Sequence, residues 1–491
     1  MARSLDLSTL SALAGHPACV ALKARPSPPD VAIVGGTVRD TLLGRKHPDL
    51  DLCVTADPEE VASALRGALG GSWFVLDPVF GVVRFHAGGQ EVDLALRQGE
   101  SWDADLRRRD LTINALGLVM VEGGVPVEPP LLRDPTGGLG DLEARLVRAT
   151  SRAALEADPV RTLRVFRFGA VLDFAIDPQT RGWVAELAPA LRQVAMERVR
   201  DELFKLLAAP RCAPHLAGVA DAGLLEVAIP ELAWARGTAS TGHFDGFRHR
   251  LEAVRVLDWL LSRESPLPAD LRDFLAEHLA APLSGGRSRG ALVRAAMMLQ
   301  GLPRPADDLA RDLRLATAEV RYVRAAVRGM SEFADLPAAP GGAALYRFFR
   351  AAGDAAEAAV LLALADHLAA RDLAVVDDAW PLATAVAILA EARQPSVTEP
   401  REPLVRGDAL IAALRIPAGP QVAALLEAIA EARADGQVGT AEEALAYARR
   451  IVEAGTEAGP TGAADGGGPT RAADGGPTRA ADGGSTRAAD S

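Results

Sequence analysis

An α/β domain over residues 31–150, followed by an all-α helical region, is the fold class that the sequence predicts. Two observations predict it. In the first stretch, short apolar runs of strand length are separated by turn residues and one helical segment. From Ala153 to about Ala454 the apolar residues instead follow helical periodicity in an Ala-, Leu- and Arg-rich background. A length of 491 residues suits about three units at roughly 100–200 residues per domain.

Taken in order, residues 1–30 form an N-terminal extension with neither the basic start nor the long apolar stretch of a signal peptide. Residues 31–34 make an apolar strand, Gly35-Gly36 a turn, and a helix follows through Leu42-Leu43. Segments 50–54, 82–85 and 91–96 are further strands, each bounded by turn residues. Residues 151–215 form a helical neck and 216–458 a helical body and tail. Pro and Gly breaks near 210–213, 281–290, 335–342 and 395–403 cut the helical stretch into sub-units. Residues 459–491 repeat GPTRAADG-like units that lack aromatic and large aliphatic side chains. Such a tail cannot bury enough surface to offset its ordering entropy and should be disordered.

Composition narrows the class. Hydrophobic residues make up 49% of the chain, enough for a large core. No apolar run approaches the roughly 20 residues of a membrane span. Cys19, Cys53 and Cys212 are scattered and odd in number, which argues against a disulfide framework or a zinc knuckle and for the cytosol. The net charge of −12 does not exclude an RNA partner, because phosphate contacts depend on local patches. Arginine is dense at Arg107, Arg108 and Arg109 and again at Arg161, Arg164 and Arg167. A solvated charged face is the ordinary reading of such runs.

Two acidic pairs carry the chemistry. In HPDLDL (47–52), Asp49 and Asp51 project to one side of a strand while Leu50 and Leu52 project to the other. EVDLAL (91–96) repeats the arrangement with Glu91 and Asp93. Two carboxylates at this spacing make a hard, oxygen-rich site suited to Mg²⁺. Asp49, Asp51 and Asp93 on adjacent strands would hold two metal ions that bind nucleotide phosphates and stabilise in-line displacement. Upstream, Gly35 and Gly36 open a helix whose exposed N–H groups can cradle phosphate, with Arg39 one turn later.

The order VAIVGGTVRDTLLGRKHPDLDL (31–52) is more specific than its parts. Residues 31–54 resemble the first motif of the class II tRNA nucleotidyltransferase and bacterial poly(A) polymerase family, within the polymerase beta-like nucleotidyltransferases. DLRRRDLTINAL (105–116), DPTGGLGDL (134–142), ADPVRTLRVFRF (157–168) and MERVRDEL (196–203) resemble later motifs in family order, and residues 403–426 the tail region. The resemblance covers about residues 31–450. It implies Asp49 and Asp51 as the metal ligands for Mg²⁺ and Asp93 as a third carboxylate whose spacing to Arg97 departs slightly from the family pattern. It also implies Arg109 on nucleotide phosphate, Asp110 on the ribose hydroxyls and Asn114 helping to hold the nucleotide. A guanidinium forks onto phosphate and a carboxylate accepts from a vicinal diol, so the residue types suit these roles. Helix capping is the bland reading of Asp110 and Asn114.

Asp158 and Arg161, three apart on a helix, would read the base, with Arg164 and Arg167 on base or tRNA phosphate. Asp accepts and Arg donates, which complements the amino group and ring nitrogen of cytosine and adenine. Uracil and guanine would leave unsatisfied contacts at about 1–3 kcal/mol each. The family has a Glu before that Asp; here the residue is Ala157, with Glu156 one step earlier. Only QGESWDA (98–104) separates Arg97 from Asp105, where full CCA-adding relatives carry a longer flexible segment. The expectation is therefore a cytidine-adding (CC) enzyme that takes CTP and tRNA, its acceptor stem read by the helical half. A separate A-adding enzyme would complete the end. The alternatives are complete CCA addition with CTP and ATP, A addition, poly(A) polymerase, and a non-catalytic RNA-binding scaffold. His243 and His249 lack the acidic partner needed for a metal cluster and are expected to be surface or helix-packing histidines, and Leu299-Gln300 stands where a His-Asp pair of a phosphohydrolase module would be.

Overall fold

The computed structural model describes residues 7–46, 49–78, 81–238, 245–370, 379–392 and 402–457. The tail expected to be disordered (459–491) and His243 lie outside the described residues. Two compact units divide at 401/402.

The first unit opens with a mixed seven-stranded sheet ordered β3-β4-β5-β2-β1-β6-β7. Its strands are β1 (Val31–Val34), β2 (Asp49–Val54), β3 (Ser72–Asp77), β4 (Val82–Ala87), β5 (Gln90–Leu96), β6 (Gly117–Glu122) and β7 (Val125–Arg133). Only the central β2–β5 pair is parallel; every other neighbour is antiparallel. Strand alternation gives the sheet two different faces. Val31, Ile33, Leu50, Leu52 and Val54 join the large core, whereas Ala32, Val34 and Cys53 pack under Trp102, Leu106 and Ala115. Asp49 and Asp51 share the parity of Cys53 and so belong to the second face.

The extension expected at 1–30 is not an appendage. Leu10, Ala14 and helix α1 (Pro17–Lys23), through Ala18, Cys19 and Leu22, are buried in the main core. Helix α2 (Gly36–Leu42) leaves β1 at once, and α3 (Pro58–Leu69) crosses the core face. Asp57 caps α3 by accepting from Glu59 N at 2.8 Å, Pro58 fills its first turn, and Gly70 at φ +72° ends it.

Helices α4 (Trp102–Arg107), α5 (Gly138–Glu143), α6 (Arg152–Ala157), α7 (Arg161–Leu172) and α8 (Met196–Leu207) follow. Helices α7 and α8 pack on each other and share the core of the sheet domain. Beyond them α9 (Gly246–Leu260), α10 (Arg289–Leu299), α11 (Thr317–Ala334) and α12 (Ala356–Ala369) continue the same core. Helix α12 is buried almost all round, as its unbroken run of Ala, Val and Leu requires. The second unit contains α13 (Gly407–Leu414), α14 (Pro420–Ala434) and α15 (Ala441–Glu457) around Leu410, Leu425, Ile429 and Ala448. No helix among the described residues is long and apolar enough to cross a membrane.

His249 packs between helices. Its Nε2 lies 2.9 Å from Asp366 Oδ1 on α12, and Gln300 donates to the same oxygen at 3.3 Å. Pairing across 117 positions could not be read locally. This is a buried polar tie between helices; no group of three or more His, Cys, Asp or Glu side chains among the described residues is placed to hold a metal ion.

Candidate active site

The carboxylates are set by register. In the parallel β2–β5 pair Asp51 stands opposite Asp93 and Asp49 opposite Glu91, so four acidic side chains share one sheet face. Burial, and then the neighbouring Asp93, hold the Asp51 carboxyl above the usual range, with Arg109 and Thr37 opposing. Burial raises Asp49 as well; Arg84 opposes it while Glu91 and Asp93 add to it. Asp93, expected as a third catalytic carboxylate, is otherwise engaged. Arg84 lies opposite it on β4 and takes both of its oxygens, Nε to Oδ1 and Nη2 to Oδ2, each at 2.8 Å.

Next to Asp51 the chain turns sharply. Gly35 has φ +67°, and a Cβ there would sit 3.2 Å from Arg109 Nη1. A Cβ on Gly36 would lie 3.4 Å from Asp51 Oδ2. The glycine pair thus keeps open the space between Asp51 and Arg109. Arg109 is braced by Asp105 Oδ2, which accepts from its Nε at 3.2 Å and its Nη2 at 3.0 Å.

One polar network then joins the sheet domain to the helices. Arg39 forks onto Asp40 at 3.0 and 2.7 Å and donates to Asn114 Oδ1. Asn114 Nδ2 donates to Asp110 Oδ1 at 3.1 Å, and Arg164 Nε donates to Asp110 Oδ2 at 2.7 Å. Glu202 on α8 ends the chain, 2.7 Å from Arg167 Nε and 3.6 Å from Arg164 Nη1. Burial alone would raise Asp110, but Arg164, Asn114 and Arg161 outweigh it and hold the carboxyl well below the usual range. Burial is also the main influence on Arg161 and Arg167, whose guanidiniums it makes more willing to lose a proton. The Phe168 ring is the apolar hub, with Arg39, Arg164 and Arg167 at 4.8, 5.5 and 3.9 Å from its centroid.

Asp158 is not on a helix with Arg161. It sits in the turn between α6 and α7, because the following Pro159 disfavours helical backbone at the residue before it. Even so, Arg161 Nε is 4.0 Å from Asp158 Oδ2. Arg161 Nη1 donates to the carbonyls of Arg108 and Ala154, each at 3.0 Å. Glu156 does not brace it, since it accepts from Arg152 Nε at 2.8 Å on the surface. Arg198 Nη2 holds Asp158 instead, at 2.7 Å from Oδ2.

These groups surround a cavity of about 740 Å³, within the range that small-molecule sites occupy. Gly35, Gly36, Arg39, Asp51, Asp93, Arg109, Asp110, Asn114, Asp158, Arg161, Arg164 and Arg167 all line it; Asp49 stands just outside, against Arg84. Sequence reasoning missed Arg84, Phe168, Arg198, Glu202 and Lys205. Phe168 could have been found four residues after Arg164, and Glu202 four after Arg198, on helical faces. Arg84 offered no such signal.

The cavity therefore joins acidic strands, a glycine turn and an arginine-rich helical wall. Residues 31–148 match the Poly A polymerase head domain, and residues 173–235 match the probable RNA and SrmB-binding site of polymerase A. The chain is 35% identical over 449 residues to the A-adding tRNA nucleotidyltransferase of Deinococcus radiodurans, covering 87% of this chain and 97% of that protein. It is 32% identical over 418 residues to the CC-adding tRNA nucleotidyltransferase of Geobacter sulfurreducens, covering 84% and 90%. The fold is shared with the CCA-adding enzyme of Bacillus stearothermophilus in complex with CTP, at TM-score 0.63 and 22% identity, over 92% of this chain and all of that one. At this identity over nearly the full length of both relatives, the chain belongs to the tRNA nucleotidyltransferases and is an enzyme of that class.

Proposed function

We propose that this enzyme adds cytidines from CTP to the 3′ end of tRNA without a nucleic-acid template, leaving the terminal adenosine to a separate enzyme. The observation that carries the reading is the connection from β5 to α4. It spans residues 97–101 and is held at three points. Gln98 N donates to Asp105 Oδ1 at 2.8 Å, Arg97 lies 5.1 Å from the Trp102 ring centroid, and Ser101 Oγ accepts from Ala104 N at 3.2 Å. A segment pinned in this way cannot swing as a lever to reshape the base pocket for a larger purine.

The base-reading groups suit cytosine. Asp158 and Arg161 both line the cavity, and among the described residues Arg161 Nη2 and Asp158 Oδ1 have no hydrogen-bond partner, which leaves one donor group and one acceptor available. The cytosine amino group would donate to Asp158, and its ring nitrogen and carbonyl would accept from Arg161. Asp110 and Asn114, locked together, present a fixed edge to the ribose, and Arg109 meets the phosphates. The 3′-hydroxyl of the tRNA attacks the α-phosphate in line, and pyrophosphate leaves.

The residues present fit a divalent cation such as Mg²⁺. Asp49 and Asp51 are oxygen donors on one face, crowded by further carboxylates, and the cluster already draws a guanidinium. When bound, Mg²⁺ would neutralise phosphate charge and favour the ionised 3′-hydroxyl. With both oxygens of Asp93 taken by Arg84, the ion's other ligands would be phosphate oxygens and water, as magnesium sites often have.

Adenosine addition is the second reading, favoured by the identity to the Deinococcus radiodurans protein. The test supplies CTP and ATP, singly and together, with tRNA transcripts ending before CCA or after CC. Two cytidines and no adenosine support the proposal. Adenosine added only after CC supports the second reading, and complete CCA rejects both.

A further inference from the structure

We propose that Phe74 is a stacking platform for a nucleobase in the unpaired 3′ strand of the tRNA, placed where that strand passes to bring its 3′-hydroxyl to Asp51. The inference rests on the reading of Asp51 as part of the transfer site.

The sheet order gives Asp51 two unlike sides. On the β1 side stand the Gly35-Gly36 turn and Arg109, the groups suited to the triphosphate. In-line displacement puts the attacking hydroxyl opposite the departing pyrophosphate, so the tRNA strand comes from the other side, over β5, β4 and β3. Cross-strand register lays out that approach. Asp51 pairs with Asp93, Asp93 with Arg84, and Arg84 with Phe74, and directly paired residues share a face. A second row, Cys53–Ala95–Val82–Asp77, runs beside the first, and Ala95, Val82 and Asp77 line the cavity. The cavity thus reaches the edge strand that carries Phe74.

Phe74 is 53% exposed, and its neighbours Val75 and Leu76 are exposed as well. Consecutive large apolar side chains on a sheet edge are a liability, which chains ordinarily blunt with charge or proline. Stacking gives the ring on the Asp51 face a use. Three strand spacings of about 4.8 Å put Phe74 about 14 Å from Asp51 across the sheet. Stacked nucleotides advance about 3.4 Å each, so this distance is about four nucleotides, fewer where the strand is extended. It falls in the unpaired 3′ end or at its junction with the acceptor stem. Unpaired RNA bases are commonly held on aromatic side chains. Every base has a π-face, so such a ring grips the strand without demanding a sequence. That suits a 3′ end whose last base changes as it is extended.

The test measures the Kd for tRNA by filter binding with the full chain, together with KM for CTP and the melting temperature. For Phe74→Ala we expect tRNA binding weakened roughly fivefold or more, with KM for CTP within about twofold of wild type. The melting temperature should stay close to wild type, because the ring is half exposed. Phe74→Trp and Phe74→Tyr keep a stacking face and should bind tRNA like wild type. Phe74→Leu keeps an apolar side chain without a π-face and should behave like Phe74→Ala; wild-type binding by the Leu variant reduces Phe74 to packing and overturns the proposal. Transcripts lacking the base at single positions of the 3′ strand locate the contact. At one position the loss should match that of Phe74→Ala and add nothing to it. Losses that add at every position, or unchanged tRNA binding by Phe74→Ala, overturn the proposal. So does a particle mass that falls in Phe74→Ala by light scattering with tRNA binding intact, which would make β3 an edge that pairs with a second copy. Asp51→Asn separates the two readings: if it still transfers nucleotide, the transfer site itself is wrong, and if it does not, failure of the Phe74 variants counts against Phe74 alone.

Discussion

Arg164 donates its Nε to Asp110 Oδ2 at 2.7 Å across 54 positions of sequence, and this bond ties the turn after α4 to the helical wall of the cavity. Asp110 is 6% exposed, and its other oxygen accepts from Leu111 N at 2.8 Å and from Asn114. Removing the carboxylate in Asp110→Ala leaves a guanidinium, an amide and a backbone N–H without their acceptor. The expected loss is about 3 kcal/mol of stability, read from the urea midpoint at pH 7.

The same carboxyl gives a pH signature. Its folded value is lowered, so its stabilising contribution is complete above the unfolded carboxylate value near about 3.9 and is lost as pH falls through the folded value. The stability gap between wild type and Asp110→Asn should therefore be flat from pH 7 to about pH 4 and narrow below it. Denaturant melts across that range make the comparison; a gap that closes above pH 5 would show that Asp110 is not held low.

Much of this arrangement was legible in the sequence, and the limits are physical. Alternation in DLDLCV and EVDLAL put the acids on one face, because side chains in a strand alternate. Strand β7 was not foreseen, since Pro126, Pro129 and Pro130 argue against a strand; it is tolerated at the sheet edge. Strand β3 is largely exposed at the other edge and lacks an alternating burial pattern, so it gave no periodic signal. Spacing put Arg161, Arg164 and Arg167 near one helical face, but it could not say that Asp110 and Glu202 would meet them. Arg84 escaped notice for the same reason: cross-strand register is a property of pairing and is not written in either strand.

Asp51→Asn should reduce transfer by about 10²–10⁴-fold, as losing several kcal/mol of charge stabilisation requires. The isosteric amide keeps the shape next to Gly36 but removes the negative charge. Single-turnover incorporation should fall while tRNA affinity, measured by filter binding, stays within about twofold. A parallel loss of tRNA binding would instead indicate a misfolded head.

Arg198→Ala should degrade nucleotide choice more than it degrades stability. Arg198 is half exposed, so its ion pair adds little to the fold, yet it sets the direction of Asp158. Freed from it, Asp158 can turn away from the base and lose a charge-assisted hydrogen bond worth about 1.5–3 kcal/mol. The ratio of kcat/KM for CTP over UTP should fall at least tenfold, with the melting temperature changed by no more than a few degrees. An unchanged ratio would remove Arg198 from base reading.

Gly35 and Gly36 separate a turn from a cradle. Gly35 adopts φ +67° and ψ −128°, a conformation that costs an L-residue about 1–3 kcal/mol, and an added Cβ would press on Arg109 Nη1 at 3.2 Å. Gly36 has ordinary backbone, and its Cβ would make normal contacts, 3.4 Å from Asp51 Oδ2 and 3.5 Å from Arg39 Nη2. Gly35→Ala should therefore lower both the melting temperature and kcat/KM for CTP. Gly36→Ala should leave the melting temperature close to wild type but raise KM for CTP several-fold, because the methyl group fills the space that a phosphate would use at the helix N-terminus. If Gly36→Ala keeps the wild-type KM, the pair is a turn and the phosphates bind elsewhere along the cavity.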